Sequence, residues 1–444
     1  MQKNLSKYLF FYPATLAKGE PIALMMGRYR NNQWMSAEEL RSYQLEKLSS
    51  LVDYAFKNSK FYRDLYTEAG FKPGKVESFE SFASLPAITK SDLMNRLDDM
   101  SDGCKKVFRS SKTTGGSTGQ PVKLFKNPMA LARERCATAR AYEWANVRIS
   151  EPQLRFWGVP HSGIGKFKAG LTDLAANRKR VSAFDLTNDS LSQYFSEALK
   201  FKPGYIYGYV SVIEIFARFV IEQGLPPIPS LRAVITTSEI LTPGSREIIS
   251  QAFGVQVFNE YGCGEVGSIA HECEKGAMHV MADNLYLEID NDGSGSGSGE
   301  ILVTDFFNVS TPMIRYRLGD YATLSDAVCS CGRYFPVIES IHGRAYDVLE
   351  LPSGKKVHPE AVIYVFEGIQ SRTNAFSQFQ AIQEAKDRIL VRVIPNKGWN
   401  DEIKTILIRD LKRDISADVV FDVEIVSEIA REKSGKLRLV KCNL

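Results

Sequence analysis

Apolar positions recur with a helical period over residues 37–70, where Leu45, Leu48, Val52, Ala55 and Phe56 share a face. Gly70 and Pro73 close that stretch. From 100 to 270 short apolar runs alternate with amphipathic ones. Leu154–Val159, Tyr205–Tyr209 and Ala233–Thr237 are predicted as strands, Leu191–Leu199 and Val212–Gln223 as helices. This alternation predicts an α/β domain with largely parallel strands. Between 279 and 342 the period shortens. His279–Met281, Leu285–Ile289, Glu300–Thr304 and Tyr321–Leu324 read as strands joined by turns, with the Gly/Ser run Asp292–Gly299 as a loop tip. After Gly343 the pattern gives strands at Phe376–Ile382, Ile389–Ile394 and Val419–Val426. A helix is predicted at Asp401–Ile415, with two acids in its first turn. The expectation is a large N-terminal domain of mixed sheets and helices over 1–345. A compact α+β domain is expected over 346–444, with the boundary near Ala345–Asp347.

Composition narrows the class. The 444 residues are 44% hydrophobic and 24% charged, an ordinary globular balance that excludes a disordered or collagenous chain. Fifty-six basic against 52 acidic residues leave +4, too little for a nucleic-acid coat but suited to small anionic ligands. No apolar run approaches about 18 residues, so no integral membrane helix is expected. Seven cysteines, odd in number and unevenly spread, argue against a secreted disulfide framework. Lys3 and Lys7 before Tyr8-Leu9-Phe10-Phe11 outline a signal peptide, but Pro13 cuts the run and no cleavage pattern follows closely. The expected compartment is the cytoplasm, with a membrane surface nearby left open.

Five motifs carry chemistry. Thr113-Thr114-Gly115-Gly116-Ser117-Thr118-Gly119 offers backbone N–H and hydroxyl donors that can wrap phosphate oxygens; the alternative is a plain hairpin turn. It is not a Walker A loop, because Gln120-Pro121 follows Gly119. Asn259-Glu260-Tyr261-Gly262-Cys263-Gly264-Glu265 offers an aromatic beside free amides, and Glu265 is a hard-oxygen ligand for a divalent cation or a solvated turn residue. In Arg315-Tyr316-Arg317-Leu318-Gly319-Asp320, an aspartate after a glycine bend can hold a ribose diol; the alternative is a hairpin of alternating charges. Gly343-Arg344-Ala345-Tyr346-Asp347 lies at the inferred boundary. Ser434-Gly435-Lys436-Leu437-Arg438 puts a lysine on a glycine loop, where it can reach phosphate or simply be solvated.

Cys273, His279, Cys329 and Cys331 form a further constellation, C-x5-H followed at a distance by C-x-C. Three thiolates and an imidazole suit tetrahedral zinc, and four soft ligands would leave no open catalytic position. The alternative is a set of buried thiols beside an unrelated turn. Cys104, Cys136, Cys263 and Cys442 read as structural.

The order of the five motifs resembles the adenylate-forming superfamily of acyl-CoA synthetases and adenylation domains. Within it the chain looks closest to the phenylacetate-CoA ligase-like branch, which includes CapK-type proteins of capsular polysaccharide biosynthesis. The resemblance runs from about residue 40 to the end and implies ATP, Mg²⁺, a structural Zn²⁺ and coenzyme A. It implies that Thr114, Gly115, Gly116, Ser117, Thr118 and Gly119 hold the ATP phosphates. Ser238, Glu239 and Ile240, with Glu260, Tyr261 and Gly262, would frame the adenine. Glu265 would bind magnesium, and Asp320 the ribose with Arg344 nearby. Asp347 would be the hinge and Lys436 the catalytic lysine of a C-terminal lid. Two departures stand out. Gln120 occupies the usual lysine position, so charge must come from elsewhere, with Lys123 and Lys112 as candidates. The glycine-rich acyl-pocket stretch survives only as Trp157-Gly158-Val159-Pro160-His161-Ser162-Gly163-Ile164-Gly165. His161, Tyr207 and Gly208 are candidate substrate contacts, His161 equally a core histidine.

The expected reaction is ATP-dependent activation of a carboxylic acid through an acyl-adenylate, with pyrophosphate release and transfer to a thiol, coenzyme A first. An amine or sugar acceptor in surface polysaccharide assembly is the alternative. A non-catalytic zinc-containing nucleotide-binding module is the rival of another class, and a nucleic-acid-binding zinc protein lacks the basic stripe it needs. The partners are then the small acid, ATP and the acceptor, with a homodimer left open.

Overall fold

A computed structural model describes residues 5–71, 76–101, 103–104, 109–114, 122–158, 163–183, 186–291, 298–344, 349–353, 356–357, 359–430 and 438–444. By internal contacts the chain divides into two compact units. One comprises residues 1–241, 245–318 and 323–339; the other comprises 340–444 with the short stretches 242–244 and 319–322.

The strands in chain order are β1 (Ser110–Thr114), β2 (Val122–Lys126), β3 (Gln153–Trp157), β4 (Arg178–Ser182), β5 (Tyr205–Tyr209), β6 (Ala233–Thr237) and β7 (Gln256–Cys263). Then follow β8 (Gly267–Glu272), β9 (Met278–Val280), β10 (Leu285–Asp290), β11 (Ser298–Asp305), β12 (Met313–Ser325) and β13 (Val337–Arg344). Among the described residues, eleven of these form one sheet in the order β10-β11-β12-β13-β9-β8-β7-β6-β5-β3-β4. The run β4-β3-β5-β6-β7 is parallel, and pairing turns antiparallel at β7-β8. β5 and β6 are buried at every position because helices cover both of their faces. On one face, helices Asn188–Phe201 and Val210–Glu222 pack Phe195, Val212 and Phe216 against Leu154, Phe156 and Ile206. On the other, the end of helix Pro128–Trp144 brings Tyr142 and Ala145 to Tyr205, Tyr207, Ile235 and Phe258. Each large side chain so buried contributes about 1.5–3 kcal/mol.

The second unit adds β14 (Leu349–Glu350), β15 (Lys356–Val357), β16 (Phe376–Ala385), β17 (Arg388–Pro395), β18 (Val420–Ile425) and β19 (Val440–Cys442). Four of them make a sheet in the order β18-β17-β16-β19. Helix Asp401–Asp414 starts where Asn400 accepts the Ile403 amide at 2.9 Å, and it buries Ile403, Leu407 and Leu411. In the same core Phe366, on helix Pro359–Thr373, stacks on Phe379 at 3.8 Å.

Three expectations change. The helical stretch 37–70 is two helices, Ala37–Asn58 and Lys60–Glu68, because Ser59 turns extended and its Oγ accepts the Tyr62 amide while donating to Asp99 O. The Arg315–Asp320 motif is no hairpin: it runs inside the 13-residue β12. Arg315 and Gly319 take positive φ there, and Arg315 and Arg317 exchange backbone hydrogen bonds with Ile88, so this strand is shaped from outside its own sheet. The segment before residue 33, given no element by its periodicity, is helical at Ser6–Phe11, Tyr12–Ala17 and Ile22–Asn32. The expected loop tip at 292–297 lies outside the described residues.

Candidate functional site

Parallel strands place their following loops along one sheet edge, and ligands of such sheets bind beyond the carboxyl ends, at points where the strand pattern changes. β6 and β7 lie side by side, with Thr237 opposite Glu260. Ser238-Glu239-Ile240 therefore leaves β6 next to Glu260-Tyr261-Gly262 at the end of β7. Ser238 has φ +70°, a left-handed turn rare for a side-chain-bearing residue. Glu239 accepts hydrogen bonds from the Ser211 amide at 2.7 Å and hydroxyl at 3.0 Å, which ties this turn to the start of helix Val210–Glu222.

β7 then folds back into β8. A Cβ on Gly262 would stand 2.4 Å from Gly267 O, and one on Gly267 would meet the Glu134 carboxylate at 2.3 Å, so this hairpin requires both glycines. Glu265 lies in the turn between them, half-buried. Against Gly267, Glu134 bridges Lys126 Nζ at 2.7 Å and Lys112 Nζ at 3.3 Å. Burial opposes the Glu134 charge, but the two lysines hold its carboxyl below the usual carboxylate value. Lys112 is thus already engaged by a carboxylate, and Lys123 Nζ stands over the Phe125 ring.

Thr113 and Thr114 end β1, which pairs antiparallel with β2, Thr114 opposite Val122. The glycines of the phosphate-loop motif, with Ser117 and Thr118, follow β1 in sequence and lie outside the described residues, as do His161, Asp347 and Lys436. Arg344 closes β13 as backbone, its side chain not described. Asp320 is buried on β12.

Sequence reasoning named Tyr207, Gly208 and Glu260 but not what surrounds them. Gly208 lets β5 approach β3, since a Cβ there would be 2.9 Å from Phe156. Tyr207 faces the opposite way. Trp157 stacks on Tyr209 at 4.6 Å and on Tyr207 at 5.8 Å, and Arg155 lies over both Trp157 and Tyr207. Tyr142 donates to Glu260 Oε2 at 2.8 Å. Burial pushes the Glu260 carboxyl up despite hydrogen bonds and the nearby Arg155 charge, and it pushes both tyrosines well above their ordinary value. Next to them His271 is buried and held neutral, its pKa lowered to about 4 by burial, with Nδ1–H donating to Glu272 O at 2.7 Å. Nothing in the local sequence of Arg155 or Tyr142 signals this: they come from β3 and the preceding helix and meet only through sheet order.

The metal-type constellation comes together. The ligand atoms of Cys273, His279, Cys329 and Cys331 all lie within 4.8 Å of one another. Cys273 and Cys329 Sγ are 3.8 Å apart, the edge of a tetrahedron with metal–sulfur bonds of about 2.3 Å. Cys331 Sγ is 3.2 Å from His279 Nε2. His279 Nδ1–H donates to Phe335 O at 2.9 Å, which turns the Nε2 lone pair toward the thiols. The Lys275 and Cys331 amides donate to Cys273 and Cys329 Sγ, the hydrogen bonds that thiolates favour. The donor set and its second layer fit a closed tetrahedral site.

Residues 349–443 match the family model for the CapK C-terminal domain. Protein CapK of Staphylococcus aureus is 24% identical, the alignment covering 95% of this chain and 94% of that protein. Phenylacetate-coenzyme A ligase of Thermus thermophilus is 27% identical over 73% of this chain and 74% of its own. A crystal structure of 2-hydroxyisobutyryl-CoA ligase with 2-HIB-AMP superposes with a TM-score of 0.74 at 21% identity, covering 92% of this chain and 90% of that one. Over most of its length the chain is similar to CapK and to a phenylacetate-coenzyme A ligase, and it has the fold of a CoA ligase crystallised with an acyl-adenylate. Within that fold, the β6 and β7 carboxyl ends and the β1–β2 hairpin are the segments whose motifs carry the resemblance.

Proposed function

We propose that this chain is an adenylate-forming ligase that activates a carboxylic acid with ATP and passes the acyl group to a thiol, coenzyme A in the first instance. The observation that carries this reading is the adjacency of Ser238–Ile240 and Glu260–Gly262 where parallel pairing gives way to antiparallel. A nucleotide base fits there, against the Tyr261 side of the hairpin. Amides and hydroxyls of Thr114–Gly119 would take the phosphates, and Asp320 the ribose, with Arg344 beside it. Magnesium, held by Glu265, would neutralise phosphate charge. Tyr207 and Gly208, with His161, would border the acid. The carboxylate attacks the α-phosphorus, an acyl-adenylate forms and pyrophosphate leaves. Alignment and charge stabilisation make up most of what the protein contributes to such a step. Lys436 would bridge carboxylate and α-phosphate, carried by a lid over 346–444 that pivots at Asp347. Cys273, His279, Cys329 and Cys331 would hold a structural zinc.

The relatives support acid activation and coenzyme A as acceptor through the phenylacetate-coenzyme A ligases. A second acceptor, an amine or sugar in surface polysaccharide assembly, is favoured by one fact. The alignment with CapK runs over 95% of the chain, while that with the Thermus ligase stops at 73%, and the C-terminal unit matches the CapK model. We place the reaction in the cytoplasm, where ATP and coenzyme A are available. The test is pyrophosphate release with Mg·ATP over aryl, fatty, amino and uronic acids, then mass analysis of products with coenzyme A, amines and sugars. No pyrophosphate with any acid would leave the non-catalytic nucleotide-binding reading. Pyrophosphate without thioester would move the acceptor away from coenzyme A.

A further inference from the structure

The N-terminal helices reverse the usual polarity of a surface helix. Ser6 and Thr15 point inward and are buried, Ser6 Oγ donating to Ala175 O at 3.4 Å, while Leu5, Tyr8, Leu9 and Leu16 face outward. Leu9 is 61% exposed, and Leu24, at the start of the next helix, is 83% exposed. The contact at Ala175 sets this segment against helix Gly163–Ala175, whose Phe167, Leu171 and Leu174 are also exposed, Phe167 at 68%. Leu171 and Leu174 lie in the turn that ends at Ala175, so the two apolar sets lie on elements in contact with one another. Large apolar side chains exposed together on adjoining elements mark a contact site.

Charge identifies its occupant. Between Leu5 and Asn32 the cations are Lys7, Lys18, Arg28 and Arg30, and the one carboxylate, Glu20, is buried and paired with Arg135. On helix Gly163–Ala175 the one acid, Asp173, is buried and paired with Arg178 and Arg180. No exposed carboxylate lies on these described elements. Lys7 Nζ stands over the exposed Tyr8 ring and the half-buried Tyr12 ring at 5.1 and 5.4 Å. Aromatic rings and lysines around leucines form the pattern of a helix lying in a bilayer interface. A two-fold contact with a second copy would set these cations against cations from the same elements. None of the described helices is long and apolar enough to cross a membrane.

We propose that the face formed by residues 5–24 and helix Gly163–Ala175 docks on an anionic lipid bilayer, Leu5, Leu9, Phe167 and Leu171 entering the headgroup region and Lys7 and Lys18 meeting lipid phosphates. This does not rest on the ligase reading, since it concerns a surface and not a reaction. The test is flotation of the full chain with vesicles of phosphatidylcholine alone and of phosphatidylcholine with phosphatidylglycerol. Recovery is expected on the anionic vesicles and is expected to fall as salt rises from roughly 0.1 to 1 M, where screening contracts from about 10 to 3 Å. Leu9→Asp and Leu171→Asp each remove one exposed leucine from the interface and should weaken partitioning by about 10- to 100-fold. Both should melt as the parent does, and Val420→Asp, on the other unit, should bind as the parent does. Absence of anionic-vesicle binding, equal recovery on neutral vesicles, or binding indifferent to both variants overturns the proposal. So does a solution dimer abolished by Leu9→Asp, which would give the face to a second copy.

Discussion

If the Cys273–His279–Cys329–Cys331 cluster holds zinc, Cys329→Ala should cost stability and spare chemistry. The site ties residues 273–279 to 329–331, but it is not their sole tether. β9 also pairs with β8 and, through His279 opposite Val337, with β13. Cys273 packs fully buried beside Ile22, Met26 and Trp144. Metal loss should therefore loosen the cluster rather than unfold the unit outright, unlike a finger whose only core is its metal. With free zinc a thousandfold above its dissociation constant, the ion adds about 4 kcal/mol. For a large unit, each kcal/mol moves Tm by about 2–4 °C, so the expected drop is roughly 8–16 °C. Elemental analysis should find about one zinc per chain in protein purified without chelator, and X-ray absorption should show sulfur at about 2.3 Å. Cys329→Ala should lose that zinc and show the lower Tm, and the parent stripped by a chelator should match it. Cys442→Ser should keep the metal. Turnover per folded molecule should stay near the parent value, because four protein ligands leave no position for substrate. A metal-free parent whose Tm is unchanged by Cys329→Ala would refute the reasoning.

Three further outcomes are expected. Glu260→Gln should raise Tm at pH 8: burial lifts the folded-state pKa of Glu260 above its unfolded 4.5, so the ionised parent bears a cost that the amide lacks. The difference should shrink as pH falls through the folded value and vanish below about 4.5, and melts at constant ionic strength from pH 4 to 8 read it. Asp320→Ala should raise the KM for ATP by about 10- to 150-fold, the loss of a charged acceptor worth about 1.5–3 kcal/mol to a buried diol; an unchanged KM in pyrophosphate release would move the ribose elsewhere. Lys436→Ala should abolish pyrophosphate release while leaving ATP binding near the parent value and still turning over a supplied acyl-adenylate; equal loss of both half-reactions would remove this lysine from the first step.

The sequence makes legible those elements whose burial is periodic or complete. Tyr205–Tyr209 and Ala233–Thr237 are strands with the bounds their apolar runs suggest, because strands covered on both faces have no polar positions to blur their ends. β19 is not legible: three residues pair parallel with Ala381–Gln383, a partner about 60 positions away, and carry no period of their own. Helix Pro359–Thr373 is likewise hidden, apolar enough to read as core but without a capping signal in its preceding residues. The bend expected at Gly319 fails for a different reason. Its positive φ is real, but β12 absorbs it without turning, since Ile88 supplies hydrogen bonds on either side of Tyr316.

The candidate site divides along the same physical line. Its motifs are contiguous in sequence because one loop must present several amides to one phosphate or one base, so pattern alone finds them. Its walls are not contiguous. Arg155, Trp157 and Tyr207 share one side of the sheet because β3 and β5 are parallel neighbours, with Arg155 opposite Tyr207. Tyr142 reaches Glu260 only because helix Pro128–Trp144 crosses that same side. A phenyl group would need an apolar lining there. The residues found include a guanidinium, two phenols and a carboxyl whose pKa burial raises. If this side of β3 and β5 borders the acid, as the proposed roles of Tyr207 and Gly208 require, it favours an acid bearing a hydroxyl or amino group over a plain aryl acid. An apolar acid that displaced one of the existing hydrogen bonds, such as Tyr142 to Glu260, would leave a buried polar group unpaired at a cost of about 1–3 kcal/mol. That inequality gives the acid screen a direction. Hydroxy and amino acids should outrank phenylacetate in kcat/KM, and Glu260→Gln should narrow the gap. Phenylacetate as the preferred acid of the parent would mean that these polar walls face away from the substrate.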